Sequence, residues 1–196
     1  TRKKKINFSL LERMASECIM PLTIGGGVKS LADVEKLFRI GADKILINSE
    51  FYKNPNFIKK ISEIYGSQSI VFSLDVIEKK SNYIPVSNSG IKIENLPLEK
   101  VLKLATKSGF GEIILNNVSR DGMMNGFDLN LIKKISKLVN IPLVATGGCG
   151  KIHDFVSAIN SGSSAVAAGS IFFWKGESII SIKDHMYKSK INVRLT

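Results

Sequence analysis

The chain has 196 residues, 44% of them hydrophobic and 8% aromatic, with 28 Lys and Arg against 17 Asp and Glu for a net charge of +11. That is one domain's worth of sequence with enough apolar mass for a full core, and no apolar run reaches the ~18 residues of a membrane span. The positive charge either suits an anionic, phosphorylated substrate or simply follows from a Lys-rich composition. Lys36, Lys59, Lys60, Lys103, Lys133 and Lys134 are scattered over helix faces with no aromatic platform among them, which argues against nucleic acid.

The N-terminal TRKKKINFSLLERM is basic but leads into an amphipathic segment, so it is no secretory signal. Residues 8–19 place Leu10, Leu11, Met14, Ala15 and Cys18 on one helical face. PLTI (21–24) reads as a buried strand. Ser30 with Asp33 is a capping pair that opens a helix over 31–40, ended by Gly41. KILIN (44–48) is a second strand, and Asn54-Pro55 opens a helix over 55–65 that stops at Gly66. IVFSLDV (70–76) is a third strand, and residues 79–95 form a hairpin-like excursion around Asn88-Ser89-Gly90. A helix over 97–108 carries Leu98, Val101, Leu102 and Ala105 and stops at Gly109, followed by the strand EIILNNV (112–118). A helix over 129–139 starts at Asp128 and buries Leu131, Ile132, Ile135 and Leu138. IPLVAT (141–146), a helix over 152–161 ended by Gly162, AVAAGS (165–170) and a last helix over 178–189 complete the series. Six short apolar strands alternating with helices predict a parallel α/β sheet. Cys18 and Cys149 have no metal-type spacing and read as reduced thiols of a cytoplasmic protein, with neither metal nor cofactor expected.

The sequence is internally duplicated. Residues 21–51 and 142–172 align without a gap at an offset of 121, with eight of 31 positions identical, among them Gly26/Gly147, Gly27/Gly148, Asp33/Asp154, Gly41/Gly162 and Ser49/Ser170. An offset of that length spans about four βα units, so two halves predict a (β/α)8 TIM barrel with an internal two-fold repeat. Against that ruler the chain holds about six of the eight units. The expectation is a single barrel domain over 1–196 that lacks its first strand, first helix and second strand, ~45–50 residues in a barrel of roughly 240.

Barrel chemistry sits after the strands' C-terminal ends. Gly26 and Gly27, Asn48 and Ser49, Gly147 and Gly148, and Gly169 and Ser170 occupy those positions. Glycines expose backbone N–H groups to phosphate and serines add hydroxyls, although glycines also simply make tight βα turns. The same loop pair occurring twice in register suits a substrate with a phosphate at each end. Asp75 closes the apolar strand 70–76, as a general acid/base or as a capping or Lys-paired carboxylate. One of Asn116 and Asn117 should point into the barrel. Asp121 before Gly122 either holds a substrate hydroxyl or makes an Asx turn. His153 and His185 read as surface residues, Cys149 lacks a His partner for nucleophilic work, and Phe172, Phe173 and Trp174 read as packing.

TIGGG, GADKILIN, GSQSIVFSLDV, GEIILNNVSRDGMMNGFD, TGGCGK and INVRL, in this order over nearly the whole chain, resemble the cyclase subunit of imidazole glycerol-phosphate synthase. The resemblance implies a two-fold (β/α)8 barrel that takes ammonia from a glutaminase partner. It implies conversion of a ribulosyl bisphosphate into imidazole glycerol phosphate and an aminoimidazole carboxamide ribotide, a step of histidine biosynthesis. It makes Asp75 one of two catalytic aspartates, the other falling before Thr1. It assigns Gly27, Asn48 and Ser49 to one phosphate site, and Asp121, Gly122, Gly148, Gly169 and Ser170 to the other. Asp43, Lys44 and Glu112 fall at the charged opposite face where ammonia enters. Ser119, where the family commonly has Asp, Met123-Met124 and Cys149 depart from its pattern. SECIMPLTIGGG and AAGSIFF also resemble a paralogous branch linked to sugar amidination in surface-polysaccharide (LPS, O-antigen) synthesis, again with an amidotransferase. A non-catalytic phosphate-binding remnant is a third reading, and residues 1–196 alone are expected to be inactive.

Overall fold

In the computed structural model, which describes residues 6–80 and 82–195, eight strands form one sheet: β1 (Thr23–Gly25), β2 (Lys44–Ile47), β3 (Ile70–Lys79), β4 (Asn82–Ser87), β5 (Lys92–Ile93), β6 (Glu112–Asn117), β7 (Leu143–Thr146) and β8 (Ala165–Val166). The basic segment at 1–5, Ser81 and Thr196 lie outside the described residues. Strands β1, β2, β3, β6, β7 and β8 are parallel and adjacent in that order. A doubly wound sheet would reverse its order at a switch point. This one runs in chain order throughout, as the wall of a (β/α)8 barrel does, with β1 and β8 as its two edges among the described residues.

Nine helices cover the wall among the described residues: α1 (Phe8–Glu17), α2 (Leu31–Arg39), α3 (Ser49–Lys53), α4 (Pro55–Tyr65), α5 (Leu98–Ser108), α6 (Leu129–Ser136), α7 (Ile152–Asn160), α8 (Ser170–Lys175) and α9 (Ile179–Lys188). Their apolar stripes meet one face of the sheet. Ile45, Ile47, Ile70, Phe72, Leu74, Val76, Ile113, Leu115, Leu143 and Ala145 alternate onto that face and are buried. Phe51, Phe72 and Phe110 pack there with ring centroids 4.8–5.4 Å apart. The opposite, inner face carries Lys44, Leu46, Val71, Ser73, Asp75, Glu112, Ile114, Asn116, Val144 and Thr146, as the ladder register requires.

The duplication recurs atom by atom. Asp33 Oδ2 accepts from the backbone N–H groups of Lys29 and Ser30, both at 3.0 Å, and Asp154 Oδ2 accepts from those of Gly150 and Lys151 at 2.9 and 2.8 Å. Gly41 and Gly162 end the preceding helices at φ +105° and +106°. The N–H of Leu22 donates to Asp43 Oδ2 at 2.6 Å, and that of Leu143 to Ser164 Oγ at 3.2 Å. Both copies therefore fasten the strand start to the turn before the next strand.

Several expectations need correction. The short helices α3 and α8 are too brief to show a period in sequence, and of the segment expected as strand 165–170 only Ala165–Val166 pairs as β8, with Ser170 already opening α8. Helix α6 stops at Ser136, which leaves Leu138 outside it and 46% exposed. Helix α1 packs through Phe8 and Leu11, while Leu10, Met14 and Cys18 face outward. Phe172 packs against the core, but Phe173 and Trp174 are exposed. His185 is half-buried: its ring lies 6.2 Å from that of the exposed His153, and its Nε2 is buried.

Candidate active site

Strand β3 does not end at Asp75, as its apolar run suggested, but runs on to Lys79. Its lower part pairs with β2 through residues 70–72, and the same edge then pairs antiparallel with β4 from Asp75 onward. The β4–β5 hairpin turns through Asn88, Ser89 and Gly90, all at positive φ, as the expected excursion does. The parallel ladder to β6 stops at Val76 opposite Asn117. Asp75 thus stands at the C-terminal rim of the parallel wall, inside it, although its own strand continues.

The neighbours of Asp75 come from both flanking strands. Asn48, just after β2, donates Nδ2–H to the Ser73 carbonyl at 2.9 Å and to Asp75 Oδ2 at 3.1 Å, which caps the ladder where β2 gives way to β4. On the other side Asn116 is the direct register partner of Asp75, and its nearby amide favours the ionised carboxylate. Burial pushes the Asp75 carboxyl up from 3.8 to about 6; the Asn116 amide opposes this and the Asp121 charge adds to it. A carboxyl held near neutrality can take and return a proton during turnover.

Register settles which asparagine faces inward. Asn117 falls on the helix-facing side, where its Nδ2–H donates to Asp128 Oδ2 at 2.7 Å, so Asn116 points into the barrel. Asp128 also accepts from Tyr83 Oη and from the N–H of Leu131, each at 3.0 Å. This buried network ties β4, β6 and α6 together behind the site, and the sequence reading saw only its helix cap.

The two glycine loops are alike in backbone and unlike in surroundings. Gly26 and Gly27 have φ of +98° and +83°, and Gly147 and Gly148 of +82° and +96°. The first loop is exposed and the second buried, because the N–H of Gly126, in the loop after β6, donates to the Gly148 carbonyl at 2.7 Å. A Cβ on Gly26 would meet nothing within 4 Å, whereas one on Gly147 would lie 2.2 Å from Asn116 Oδ1. Gly147→Ala is therefore expected to lose about 3 kcal/mol and Gly26→Ala about 1 kcal/mol, since both strain a positive φ but only the former also collides. Urea denaturation of the two variants checks the difference.

Ser49 donates to Asn48 Oδ1 at 3.2 Å and accepts from the Asn88 N–H at 3.1 Å, so the hairpin tip sits against the turn that follows β2. Asp121 and Gly122 form an exposed turn in the segment that packs Arg120 and Gly126 against Gly148. Gly169 is exposed with open space above it, and Ser170 starts α8. At the opposite end of the inner face Lys44 Nζ pairs with Glu112 Oε2, while Asp43 is engaged by Leu22. Cys149 is buried, and burial followed by the Asp154 charge pushes its thiol up to about 12, which suits no nucleophile.

The histidine biosynthesis protein family matches residues 1–177. The chain belongs to this family. A Campylobacter jejuni protein with the provisional name imidazole glycerol phosphate synthase subunit hisF2 is 39% identical over 195 residues, 100% of this chain and 78% of that protein. The imidazole glycerol phosphate synthase subunits HisF of Natranaerobius thermophilus and Pyrococcus furiosus are each 35% identical, covering 95% and 98% of this chain and 74% and 77% of their own lengths. The resemblance read from the motifs thus holds, and the cyclase subunits of imidazole glycerol phosphate synthase are its enzyme family. Membership lends no support to the expectation of an inactive chain. No helix among the described residues is long and apolar enough to cross a membrane.

Proposed function

We propose that the chain is an ammonia-dependent cyclase of the HisF type, converting a ribulosyl bisphosphate into imidazole glycerol phosphate and an aminoimidazole carboxamide ribotide. The observation that carries this reading is the half-buried Asp75, raised to about 6, held by Asn48 and set opposite Asn116 in the ladder, between two glycine loops of matching backbone. Asp75 exchanges the protons of ring closure. Gly26, Gly27, Asn48 and Ser49 hold one phosphate through backbone N–H groups, an amide and a hydroxyl. Gly147, Gly148, Gly169 and Ser170 hold the other, with Asp121 and Gly122 over the substrate's hydroxyls. The Lys44–Glu112 pair, with Asp43 beside it, marks the opposite end of the inner face as the entry for ammonia from a glutaminase partner.

Relatives named hisF2, together with Ser119, Met123 and Met124 beside the second phosphate loop, favour a second reading in which the acceptor is a sugar of surface-polysaccharide synthesis. Feeding the protein ammonium and the ribulosyl bisphosphate separates the two. Consumption with release of both products is expected. No consumption, with turnover of a nucleotide-linked keto- or aminosugar, would replace the first reading by the second.

A further inference from the structure

The charge of the chain is not spread evenly around the wall. Helices α1 and α2 carry three basic residues against four acidic ones, whereas α5 and α6, with the C-cap Lys137, carry six lysines against the single Glu99. On α5 the lysines stand at positions 100, 103 and 107, a spacing that lines them up along one helical face. Leu98, Val101, Leu102 and Ala105 hold the opposite face in the core. On α6 Leu131, Ile132 and Ile135 are buried, and Lys133, Lys134 and Lys137 are exposed, as are the three lysines of α5. Lys134 Nζ reaches across to Glu99 Oε1 at 2.9 Å, so the two helices present one surface. The other five lysines have no acidic partner among the described residues. Residues scattered in the sequence are thus gathered by the packing of α5 beside α6.

The chemistry of this face selects its partner. Neither helix contains an aromatic residue or an arginine. A protein interface is anchored by such residues and is depleted in lysine. Single-stranded nucleic acid needs aromatic platforms for its bases. What α5 and α6 offer is a row of ammonium groups on flexible stems, point charges without the directional fork of arginine. That suits a fluid sheet of anionic headgroups, which sets no fixed geometry of its own. Exposed apolar side chains border the row. Leu138, next to Lys137, is 46% exposed, and Ile64, near the end of α4, is 60% exposed. Helix α4 lies beside α5, since a Cβ on Gly109 at the end of α5 would sit 2.5 Å from Ser62 Oγ of α4. Basic residues flanked by exposed apolar ones are the pattern of a face that rests in a lipid interface.

We infer that the α5–α6 face is a peripheral docking surface for an anionic phospholipid bilayer. Lys100, Lys103, Lys107, Lys133 and Lys137 meet the headgroups, and Leu138 and Ile64 enter the boundary below them. The helices of a (β/α)8 wall run back against the direction of its strands. The ends of α4 and α6, where Ile64 and Leu138 stand, therefore lie away from the rim that holds Asp75. Docking on the α5–α6 side leaves that rim open to water and to a substrate from solution. The inference rests on charge and packing at the outside of the wall and is independent of the reaction proposed above.

Sedimentation with vesicles tests it. The parent protein is expected to pellet with vesicles of mixed phosphatidylglycerol and phosphatidylcholine, and to stay in solution with phosphatidylcholine alone. Binding should vanish at about 1 M salt, where screening cuts the reach of surface charge to roughly 3 Å. The triple variant Lys100→Gln, Lys103→Gln, Lys107→Gln should lower the partition by about a hundredfold, roughly a factor of five for each lysine brought to the surface. Its control removes the same charge elsewhere, as Lys175→Gln, Lys188→Gln, Lys190→Gln, all exposed and outside α5 and α6. The control should stay within a few-fold of the parent. Equal losses in the two variants would mean that net charge alone binds, and would overturn the assignment of the face. Failure of the parent to pellet with mixed vesicles at low salt overturns the proposal, including where an acidic polypeptide or a nucleic acid retains it.

Discussion

Asp75→Asn is expected to lower kcat for the proposed cyclisation by about 10²–10⁴-fold, the range that a positioned acid or base supplies, with KM nearly unchanged. The amide keeps the size of the carboxyl and its place between Asn48 and Asn116, so binding is spared and only the proton is lost. The kcat–pH profile of the parent should carry a limb near 6, where the carboxyl titrates, and the variant should lack it. A parent-like rate in the variant would remove Asp75 from the chemistry. The same substitution should stabilise the fold. The carboxyl rises from 3.8 to about 6 on folding, so the native state holds its proton more tightly than the unfolded chain does. For an acid raised in this way, stability falls as pH rises from about 4 through about 6 and stays low above it. At pH 7.5 Asp75→Asn is expected to be more stable by about 1–2 kcal/mol, part of the gain being offset by a donor left facing the amide. Below pH 4 the difference should vanish. Urea titrations at the two pH values read this, and an equal gain at both would mean that burial of the charge is not its cause.

The parts of the fold governed by local chemistry were legible in the chain itself. Gly41, Gly66, Gly109 and Gly162 all stop helices at positive φ, and Ser30 with Asp33 makes the reciprocal cap that its spacing announced. The duplication carried the architecture, because an offset of four βα units has no natural place in an open sheet. Pairing decided what the sequence left open. Asp75 looked like a strand end because the apolar run stops there, yet β4 extends the ladder along a free edge. Asn116 and Asn117 are chemically equal neighbours, and only register with β3 sends one inward and the other to Asp128. The two glycine loops share their residues and their φ values but differ in burial, because the segment covering Gly148 has no counterpart over Gly27 among the described residues. Position in the sheet, which a repeat cannot encode, makes equal sequences unequal sites.

Asp128→Ala is expected to cost about 3–5 kcal/mol, the scale of breaking a buried charged network by removing one partner. Asp128 is buried and receives Tyr83 Oη, Asn117 Nδ2 and the Leu131 N–H, with Arg120 Nε 3.8 Å away. Alanine removes a helix cap, at about 1 kcal/mol, and strands the buried Asn117 amide, at about 1–3 kcal/mol, while the partly exposed Tyr83 loses its acceptor. Burial, then the bond to Asp128, holds the Tyr83 phenol up to about 12, so it stays a donor at any working pH and cannot adapt by ionising. In a domain of this size the loss corresponds to roughly 10 °C in Tm. Asp128→Asn, which still accepts through one oxygen and so keeps the cap, should lose about half as much. The consequence for the site is specific. Asn117 fixes the alternation of β6 by anchoring to Asp128, and Asn116 points at Asp75 because Asn117 points away. Loosening the anchor should therefore lower kcat in Asp128→Asn more than its modest instability explains, at temperatures where the variant is still folded. Thermal melts paired with kcat measured well below Tm decide it: a destabilised variant with parent kcat would leave the network a scaffold only, with no hold on the Asp75 carboxyl.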